Sequence, residues 1–291
     1  MIKKKLSHNA KKIDKFLIRY LKNQKQSLLI SPMKYGVISG GKKIRSTVIF
    51  DVGKIFGVNE KKLINICAAV ECIHSYSLIH DDLPSMDNDS VRRGKPATHI
   101  KYGEASAVLA GSSLLTLAFE IITDKKYALN SKLKNQIVSS LANCSGHTGI
   151  AGGQELDLKF ENKNKKIHQI IDMQKKKTGK LFNFCFYAVG VVANKSSKEK
   201  VFLSNLGEEI GLLFQLADDF LDIKGSKELI GKPVKKDNKK GKSTLIYLMG
   251  HKKAYMYAYK LKKKILRKLK KHGKKADELT NTIEFILGRN F

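Results

Sequence analysis

Carboxylates are concentrated in two short windows of this chain. Of its 26 acidic residues 14 are Asp, and seven of those fall in the two windows. The seven are Asp81, Asp82, Asp87, Asp89, Asp218, Asp219 and Asp222. Crowded like charges repel one another, and oxygen atoms are the ligands that Mg²⁺ prefers, so the pattern indicates Mg²⁺ ions that hold phosphate groups of a substrate. Taken alone, the first window could also be a solvated acidic loop.

The first window stands at the end of an apolar segment, residues 63–79, that has helical periodicity. Its carboxylates therefore meet the negative end of a helix dipole, and a nearby cation must offset that cost. Pro84 disfavours helix at Leu83, so the helix is predicted to end inside the window. Asp87 follows Asp81 by six residues, off the same helical face, and must return through an irregular turn. The arginines at 92 and 93 supply positive charge.

The second window lies within another apolar pattern of helical period. Asp218 and Asp222 are related as i and i+4, so they share one face of a helix. Two carboxylates stacked in this way repel each other unless a cation lies between them. The second window therefore strengthens the prediction of a metal site.

Within the two windows, the segments DDLPSMD (81–87) and FQLADDFLD (214–222) resemble the two aspartate-rich motifs of the trans-type isoprenyl diphosphate synthases. The resemblance runs from about Gly40 to Lys242 and is closest to bacterial members that form farnesyl diphosphate. It implies one all-α domain over residues 1–291, a large helical bundle around a central apolar cavity. It also implies a Mg²⁺-dependent prenyltransferase that condenses isopentenyl diphosphate with dimethylallyl or geranyl diphosphate. Geranylgeranyl and geranyl diphosphate are the alternative products.

The resemblance also implies which residues bind metal and which surround the reacting carbon. In the family, aspartates of both motifs hold three Mg²⁺ ions. The matching residues here are Asp81, Asp87 and Asp218, with Asp82 and Asp222 adjacent to them. Lys177 and Thr178 of a Lys-Thr-Gly motif, together with Gln215, correspond to the neighbours of the allylic cation. Asn88 interrupts an acidic run that many bacterial relatives have, which weakens the negative field without removing an expected ligand.

Cations around the carboxylates are implied to bind the two substrate diphosphates. The segment GGKKIR (40–45) resembles a glycine-rich motif of the family, with Ser46 in place of a proline. The residues implied for isopentenyl diphosphate are Lys42, Arg45, His74 and Arg93. Those implied for the allylic substrate are Arg92, Lys177, Thr178, Gln215, Lys232 and Lys242. By itself His74 would be read as an ordinary core histidine. Arg289 near the end is a candidate to cover the site, as basic tails of relatives do.

Product length is predicted to depend on the residues that precede Asp81. Tyr76 and Ser77 lie about 6–8 Å further back along the helix axis, where a bulky ring would stop a growing chain. In farnesyl-forming bacterial relatives an aromatic residue at this position accompanies two extra residues in the first motif, and here Tyr76 accompanies Pro84-Ser85. The alternative is that Tyr76 only packs in the core with its hydroxyl hydrogen-bonded.

The net charge of +30 is a weak guide to partners, because only six of the 56 basic residues are Arg and lysine covers every polar face. An Arg retained in this background suggests a site that needs a planar, bidentate donor. A basic helical protein that binds membrane or nucleic acid is the rival from a different class, but it leaves the aspartate windows unexplained. A terpene cyclase is a rival closer in chemistry, and the second aspartate motif argues against it.

The four cysteines lie in apolar surroundings without CxxC pairing, which indicates buried free thiols in a reducing compartment. No apolar signal region follows the basic N-terminus, and no run of 18 or more purely apolar residues occurs. We therefore expect a cytoplasmic protein without stable membrane insertion and without a nucleic-acid partner. The family resemblance adds the expectation of a homodimer.

Apolar periodicity predicts helices throughout and no strand. Their approximate bounds are 8–30, 43–56, 60–82, 103–123, 131–146, 166–192, 199–223, 242–271 and 276–287. The first of them is predicted to end near Ser31-Pro32. In the lysine-rich segment 242–271 five apolar residues form a helical stripe: Ala254, Ala258, Leu261, Ile265 and Leu269. The stripe is predicted to pack on the core, and a membrane-surface helix is the alternative.

Overall fold

The structure is a computed structural model that describes residues 2–38, 40–230 and 244–288, with the side chains of 224–230 excepted. The predicted substrate-binding residues Lys232 and Lys242 lie outside the described residues, as does Arg289. The described residues are almost entirely helical, which confirms the all-α class. Contacts divide the chain into two compact units. A single domain over the whole chain stays a prediction.

Unit 1 comprises Met1–Ser139 and Val191–Asn194. Its helices are α1 (Ile2–Lys22), α2 (Ile30–Ile38), α3 (Ile44–Ile55), α4 (Ile64–Asp81), α5 (Thr98–Tyr102), α6 (Glu104–Thr123) and most of α7 (Ser131–Ser145). A 3₁₀ turn, Glu60–Lys62, precedes α4, and two antiparallel strands, β1 (Val91–Arg92) and β2 (Lys95–Pro96), follow it. These strands were not predicted, because two residues are too few for an alternating pattern.

Helix α4 carries the first aspartate motif at its C-terminal end and is buried along most of its length. Two glycines of neighbouring helices lie against that end. A Cβ atom on Gly36 of α2 would collide with Ile79, and one on Gly111 of α6 would collide with the His80 ring. The absence of a side chain at both positions therefore lets α2 and α6 approach the helix end that presents Asp81.

Unit 2 comprises Ser140–Gly190 and Lys195–Phe291. Its helices, besides the end of α7, are α8 (Ile150–Phe160), α9 (Ile167–Gln174), α10 (Lys180–Val192), α11 (Ser197–Ile230), α12 (Leu245–Met249), α13 (His251–Leu269) and α14 (Asp277–Gly288). A π-helical turn, Lys175–Gly179, joins α9 to α10. A 3₁₀ segment, Lys270–Ala276, precedes α14. Single π turns inside helices are frequent at functional sites.

The π turn contains the Lys-Thr-Gly motif and interrupts the continuous helix predicted over 166–192. Its backbone lies against two glycines. A Cβ on Gly153 of α8 would collide with the backbone of Lys177, and a Cβ on Gly211 of α11 would lie 2.6 Å from the Cα of Gly179. The motif is thus held closely between α8 and α11.

The bounds predicted for the first helix were wrong. Helix α1 runs from Ile2 to Lys22 rather than from 8 to 30. Pro32 does not end that helix but lies in the first turn of α2, where its missing N–H has no helical partner to lose. In this segment the proline therefore marks the start of α2 and not the end of α1.

The apolar stripe predicted for α13 is buried, as expected for a helix packed on a core. All four cysteines are buried free thiols, which the sequence also predicted. Within the described residues, one helix, α6, is long and apolar enough to cross a membrane by length and composition, and 44% of its most apolar window is buried in the protein. The core helix of a soluble protein passes the same test.

Candidate active site

The loop after α4 folds back onto the end of the helix. The backbone N–H of Asp87 donates to the carbonyl of Asp81 at 2.8 Å, and the N–H of Asp89 donates to the carbonyl of Asp82 at 3.2 Å. Asn88 has a φ of 50°, a left-handed conformation that Asn adopts more readily than most residues. The backbone of Asp87 therefore lies beside Asp81, through the irregular turn that the sequence predicted.

Asp82 is buried at the C-cap of α4 and is held by the guanidinium of Arg92. Arg92 Nε donates to Asp82 Oδ1 at 2.9 Å, a second nitrogen of the same guanidinium donates to this oxygen as well, and Asp89 lies 3.7 Å from Arg92. Burial raises the pKa of Asp82, while Arg92 acts in the opposite direction. This pair supplies the cation that the helix end required. The predicted role of Asp82 as a metal ligand stays a prediction, and the engagement of its carboxylate by Arg92 favours a role in positioning Arg92 instead.

Arg93, predicted to bind isopentenyl diphosphate, contacts the glycine-rich loop that was assigned to the same substrate. Its Nη1 donates to the carbonyl of Gly40 at 2.6 Å. A Cβ on Gly41 would lie 2.8 Å from the guanidinium carbon, so a larger residue there would displace this side chain. Gly40 and Gly41 both have positive φ, which glycine adopts without strain. Arg93 is thus bonded directly to the glycine-rich loop within unit 1.

His74 lies near the same cations. Burial and the positive charges of its neighbours lower the pKa of His74 well below its usual value, and the neighbours are Arg45, Arg93, Lys43 and Arg92. His74 is therefore neutral at physiological pH and can donate one hydrogen bond from its ring. Of the four residues predicted for isopentenyl diphosphate, the structure brings His74, Arg45 and Arg93 together in unit 1, and Lys42 lies exposed in the glycine-rich loop.

Lys43, the second lysine of the glycine-rich segment, turns inward. Its Nζ donates to the carbonyl of Val37 at 3.0 Å and pairs with Asp14 at 3.2 Å. Its φ of 41° is left-handed, an uncommon conformation for a lysine. The Lys43 side chain therefore ties the glycine-rich loop to Val37 and Asp14, and Lys42 stays at the surface.

Tyr76 is buried beside the first motif. Its ring packs edge-on against His80, with ring centroids 5.7 Å apart. Burial and the charge of Asp81 raise the pKa of Tyr76 to about 12, so its hydroxyl stays protonated at neutral pH. The Ser77 hydroxyl donates to the carbonyl of His74 at 2.9 Å. These contacts fit both predicted roles of Tyr76, a floor for the growing chain and a core side chain.

In unit 2 the second motif lies in the interior of α11. Asp218 is partly exposed and Asp222 is exposed, whereas Asp219 is buried. Each helical residue turns the chain by about 100°, so the adjacent aspartates point in different directions. Asp219 accepts hydrogen bonds from two amides, Gln174 Nε2 to Oδ2 at 2.9 Å and Gln215 Nε2 to Oδ1 at 2.9 Å.

The residues predicted to surround the allylic cation are bonded to one another. The Thr178 hydroxyl, in the π turn, donates to Gln215 Oε1 at 2.7 Å. Lys177 Nζ donates to Asp157 Oδ2 of α8 at 2.6 Å, and both side chains are largely buried. Unit 2 therefore holds Thr178, Gln215 and Lys177 in fixed orientations through contacts among α8, the π turn and α11.

The donor chemistry of both motifs suits Mg²⁺. Asp81 and Asp87 in unit 1, and Asp218 and Asp222 in unit 2, have at least partly exposed carboxylates, the hard ligands that this ion prefers. Among the described residues, no group of three or more His, Cys, Asp or Glu side chains forms a metal site by itself. Mg²⁺ commonly takes one or two protein carboxylates and completes its octahedron with water and substrate phosphate oxygens. The residues present fit an ion bound together with a diphosphate.

Sequence reasoning missed three partners in unit 2. Asp157 belongs to the stretch GGQELD (152–157), whose paired glycines could have indicated a close helix contact near Lys177. Asp219 was counted in the second motif without a role of its own. Gln174 carries no local signal, because it acts through a residue 45 positions away.

The sequence profile of the family described as polyprenyl synthetase matches residues 26–284, which include both aspartate motifs. The chain belongs to the polyprenyl synthetase family. Farnesyl diphosphate synthase of Escherichia coli (strain K12) is 38% identical to it over 267 residues, which is 90% of this chain and 89% of that protein. The family predicted from the two motifs is thereby confirmed.

Solved structures with the isoprenoid synthase fold are similar over nearly the whole chain. A FPP/GFPP synthase from Zymomonas mobilis, without ligand, superposes with a TM-score of 0.88 at 33% identity and covers 98% of both chains. A geranyltransferase from Helicobacter pylori, complexed with magnesium and isoprenyl diphosphate, has a TM-score of 0.80 at 30% identity and covers 98% of this chain and 95% of that one. The predicted isoprenoid synthase fold is confirmed.

Proposed function

We propose that this protein is a Mg²⁺-dependent prenyltransferase that condenses isopentenyl diphosphate head-to-tail with dimethylallyl or geranyl diphosphate to form (2E,6E)-farnesyl diphosphate. The observation that carries the proposal is the pairing of exposed carboxylates with fixed cations and dipoles in both units of a polyprenyl synthetase. The similarity to the farnesyl diphosphate synthase of Escherichia coli over 90% of the chain supports the product.

Unit 1 contributes metal ligands and the cations for both substrates. Asp81 and Asp87 would hold Mg²⁺, and Arg92, fixed by Asp82, would bind the allylic diphosphate. Isopentenyl diphosphate would be bound by Lys42, Arg45, His74 and Arg93, which supply charged donors and one neutral ring donor. Charge-assisted and bidentate hydrogen bonds of this kind are the strong ones available to phosphate oxygens.

Unit 2 contributes further metal ligands and the residues around the reacting carbon. Asp218 and Asp222 share a helix face, so they can bind the same or neighbouring cations. Thr178 and Gln215 would direct their dipoles toward the allylic group. The charged side chain of Lys177 would bind the diphosphate. Lys232 and Lys242 are proposed from the family motif alone.

The chemistry begins with loss of diphosphate from the allylic carbon. Mg²⁺ supplies neutralisation of the leaving diphosphate, and the surrounding Arg and Lys side chains add to it, so charge that develops on the departing oxygen is stabilised. The carbon left behind is an allylic cation, which oxygen atoms of Thr178 and Gln215 favour. The double bond of isopentenyl diphosphate attacks this carbon and forms the new carbon–carbon bond. A proton then leaves from the adjacent carbon to the released diphosphate, and the new allylic double bond forms.

Product length is a further part of the proposal. Tyr76 and Ser77 would end the channel for the growing chain, so synthesis stops at farnesyl diphosphate.

We also propose a cytoplasmic homodimer: α6 exposes Val108 and Leu109 at 41% and 54%, an apolar face that a second copy would cover. Sedimentation of the purified protein tests the dimer, and a monomer at micromolar concentration would contradict it.

The proposed reaction is tested with labelled isopentenyl diphosphate and either dimethylallyl or geranyl diphosphate, in the presence of Mg²⁺ or of a chelator. We expect farnesyl diphosphate as the main product from both primers, with one diphosphate released per bond formed and no turnover in the chelator. Longer products would point to the geranylgeranyl alternative. No Mg²⁺-dependent release of diphosphate would contradict the proposed function.

A further inference from the structure

Asp219 is the buried carboxylate of the second motif, and the predicted metal chemistry gives it no role. It lies between two glutamines that donate to its two oxygens at 2.9 Å each, Gln174 from α9 and Gln215 one helical turn before it. At 5% exposure it lies deeper than its neighbours Asp218 and Asp222. Its surroundings are therefore those of a carboxylate that orders other side chains.

An ionised carboxylate only accepts hydrogen bonds, so it determines which end of each amide faces it. The NH₂ group of Gln215 must point to Asp219, and its oxygen must then point the other way. That oxygen accepts the hydroxyl proton of Thr178 at 2.7 Å. The direction of the whole chain, from Thr178 through Gln215 to Asp219, thus follows from the two acceptor oxygens of Asp219.

We propose that Asp219 is a positioning residue for the prenyl transfer: it holds the amide of Gln215 so that oxygen atoms of Gln215 and Thr178, and not N–H groups, are presented to the allylic cation. This inference rests on the proposed function. A reversed amide would turn its positive end toward developing positive charge, which raises the barrier to ionisation without weakening the binding of either diphosphate. Asp219 therefore acts through Gln215 and contacts neither substrate nor metal.

The first experiment replaces the carboxylate and then restores the pattern of donors and acceptors. In Asp219→Asn the new side-chain oxygen can accept from one glutamine only. The new NH₂ group faces the NH₂ group of the other glutamine, so two donors meet without an acceptor. We expect kcat to fall by about tenfold or more, because small misorientations at a reacting centre are costly, while the Michaelis constants of both substrates stay unchanged. The second change, Gln174→Glu, replaces the NH₂ group at position 174 by a carboxylate oxygen. The NH₂ group introduced by Asp219→Asn can then donate to that carboxylate, while its oxygen again accepts from Gln215. The double variant should regain most of the lost kcat.

Two controls accompany the rescue. Asp172→Asn removes an exposed carboxylate near Gln174 on α9 and should leave kcat unchanged. Circular dichroism shows whether each variant keeps its helices. A folded double variant without any recovery of kcat, or an Asp219→Asn variant that changes a Michaelis constant instead of kcat, would overturn the proposal.

A double-mutant cycle with Gln215→Leu gives an independent measurement, which also applies if the rescued variant does not fold. If Asp219 acts through Gln215, adding Asp219→Asn to Gln215→Leu should change kcat by no more than about twofold. Multiplication of the two single effects would contradict the inference. Wild type must first form farnesyl diphosphate under the same conditions, so failure of the proposed function would be seen before any variant is compared.

Discussion

The two aspartate motifs place the same pair of adjacent carboxylates in different local structures. In the first motif Asp81 and Asp82 stand at the end of α4, and the chain must fold back to bring Asp87 beside them. In the second motif Asp218 and Asp219 lie inside α11, and the helix itself sets their directions. In both pairs the first aspartate is partly exposed, while the second is buried and accepts hydrogen bonds from side chains.

The partners of the buried aspartates differ, and so does what each one fixes. Asp82 is paired with the charged guanidinium of Arg92, the group proposed to bind the allylic diphosphate. Asp219 is paired with the neutral amides of Gln174 and Gln215, and it orients a dipole. In the proposed site adjacent aspartates therefore have different roles, because the rotation of about 100° per helical residue separates a proposed metal ligand from a proposed positioning group.

Removal of the outward carboxylates should have the largest effect in both regions. We expect Asp81→Ala and Asp218→Ala each to lower kcat by about 10²-fold or more, the scale seen when a group that stabilises developing charge is lost. Both changes are at partly exposed positions, so the helical content should stay as in wild type. Steady-state kinetics at saturating Mg²⁺ measures this, with exposed Glu155→Ala as the control. Near-normal turnover in either variant would contradict the proposed role of these carboxylates as metal ligands.

The arginines after the first motif should separate by substrate. Arg92→Lys should raise the Michaelis constant of the allylic diphosphate by about tenfold, and Arg93→Lys that of isopentenyl diphosphate, because lysine loses the planar fork that binds phosphate oxygens in pairs. Initial rates measured while each substrate is varied in turn give both constants. Equal effects of both changes on both constants would refute this division.

The chain-length prediction concerns the first region only, since the second motif has no counterpart of Tyr76. Tyr76→Ala removes a buried ring beside Asp81, so we expect the main product to shift from farnesyl to geranylgeranyl diphosphate or longer chains. Chromatography of the labelled products measures the shift, and the dependence on Mg²⁺ should not change. Ser77→Ala removes only a hydroxyl from the same proposed floor, so we expect a smaller shift in product length than in Tyr76→Ala. An unaltered product distribution in Tyr76→Ala would place the floor elsewhere.

The smallest expected effect is on stability at mildly acid pH. The pKa of folded His74 lies below its ordinary value of about 6.5, so below that pH the unfolded chain takes up a proton that the folded chain does not. The free energy of unfolding therefore decreases as pH falls through about 6.5. His74→Gln should reduce this decrease between pH 7.5 and 5.5 by about 1 kcal/mol, measured by urea unfolding.

In unit 2, burial and the charges of Lys271 and Lys195 lower the pKa of His272 as well, so the same sign is expected there. His272→Gln should reduce the pH dependence in the same direction, and exposed His168→Gln is the control. A steeper pH dependence in either His74→Gln or His272→Gln would show that the assigned direction of the pKa is wrong.

Much of the site could be predicted because its chemistry is local in sequence. The i and i+4 spacing of Asp218 and Asp222 places them on one face of any helix, and Pro84 ends α4 wherever that helix packs. The partners of the buried aspartates could not be predicted in this way. Gln174 reaches Asp219 across 45 residues, and nothing in the order of residues tells that Asp82 turns to Arg92.

The fold shows the same limit. The all-α class follows from apolar periodicity, which is a property of single segments. The close approach of α8 to the π turn requires Gly153, whose missing side chain matters only because the backbone of Lys177 lies against it. Pro32 was misread for a similar reason, since a proline in the first turn of a helix and a proline after a helix look alike in sequence.

The most direct test of the division between adjacent aspartates is the Mg²⁺ concentration that gives half-maximal turnover in four variants: Asp81→Asn, Asp82→Asn, Asp218→Asn and Asp219→Asn. Each change keeps the shape of the side chain and removes its charge. We predict that half-saturation rises at least about tenfold in Asp81→Asn and Asp218→Asn, because a metal ligand is weakened, and stays near the wild-type value in Asp82→Asn and Asp219→Asn. An equal rise in both members of either pair would contradict the account.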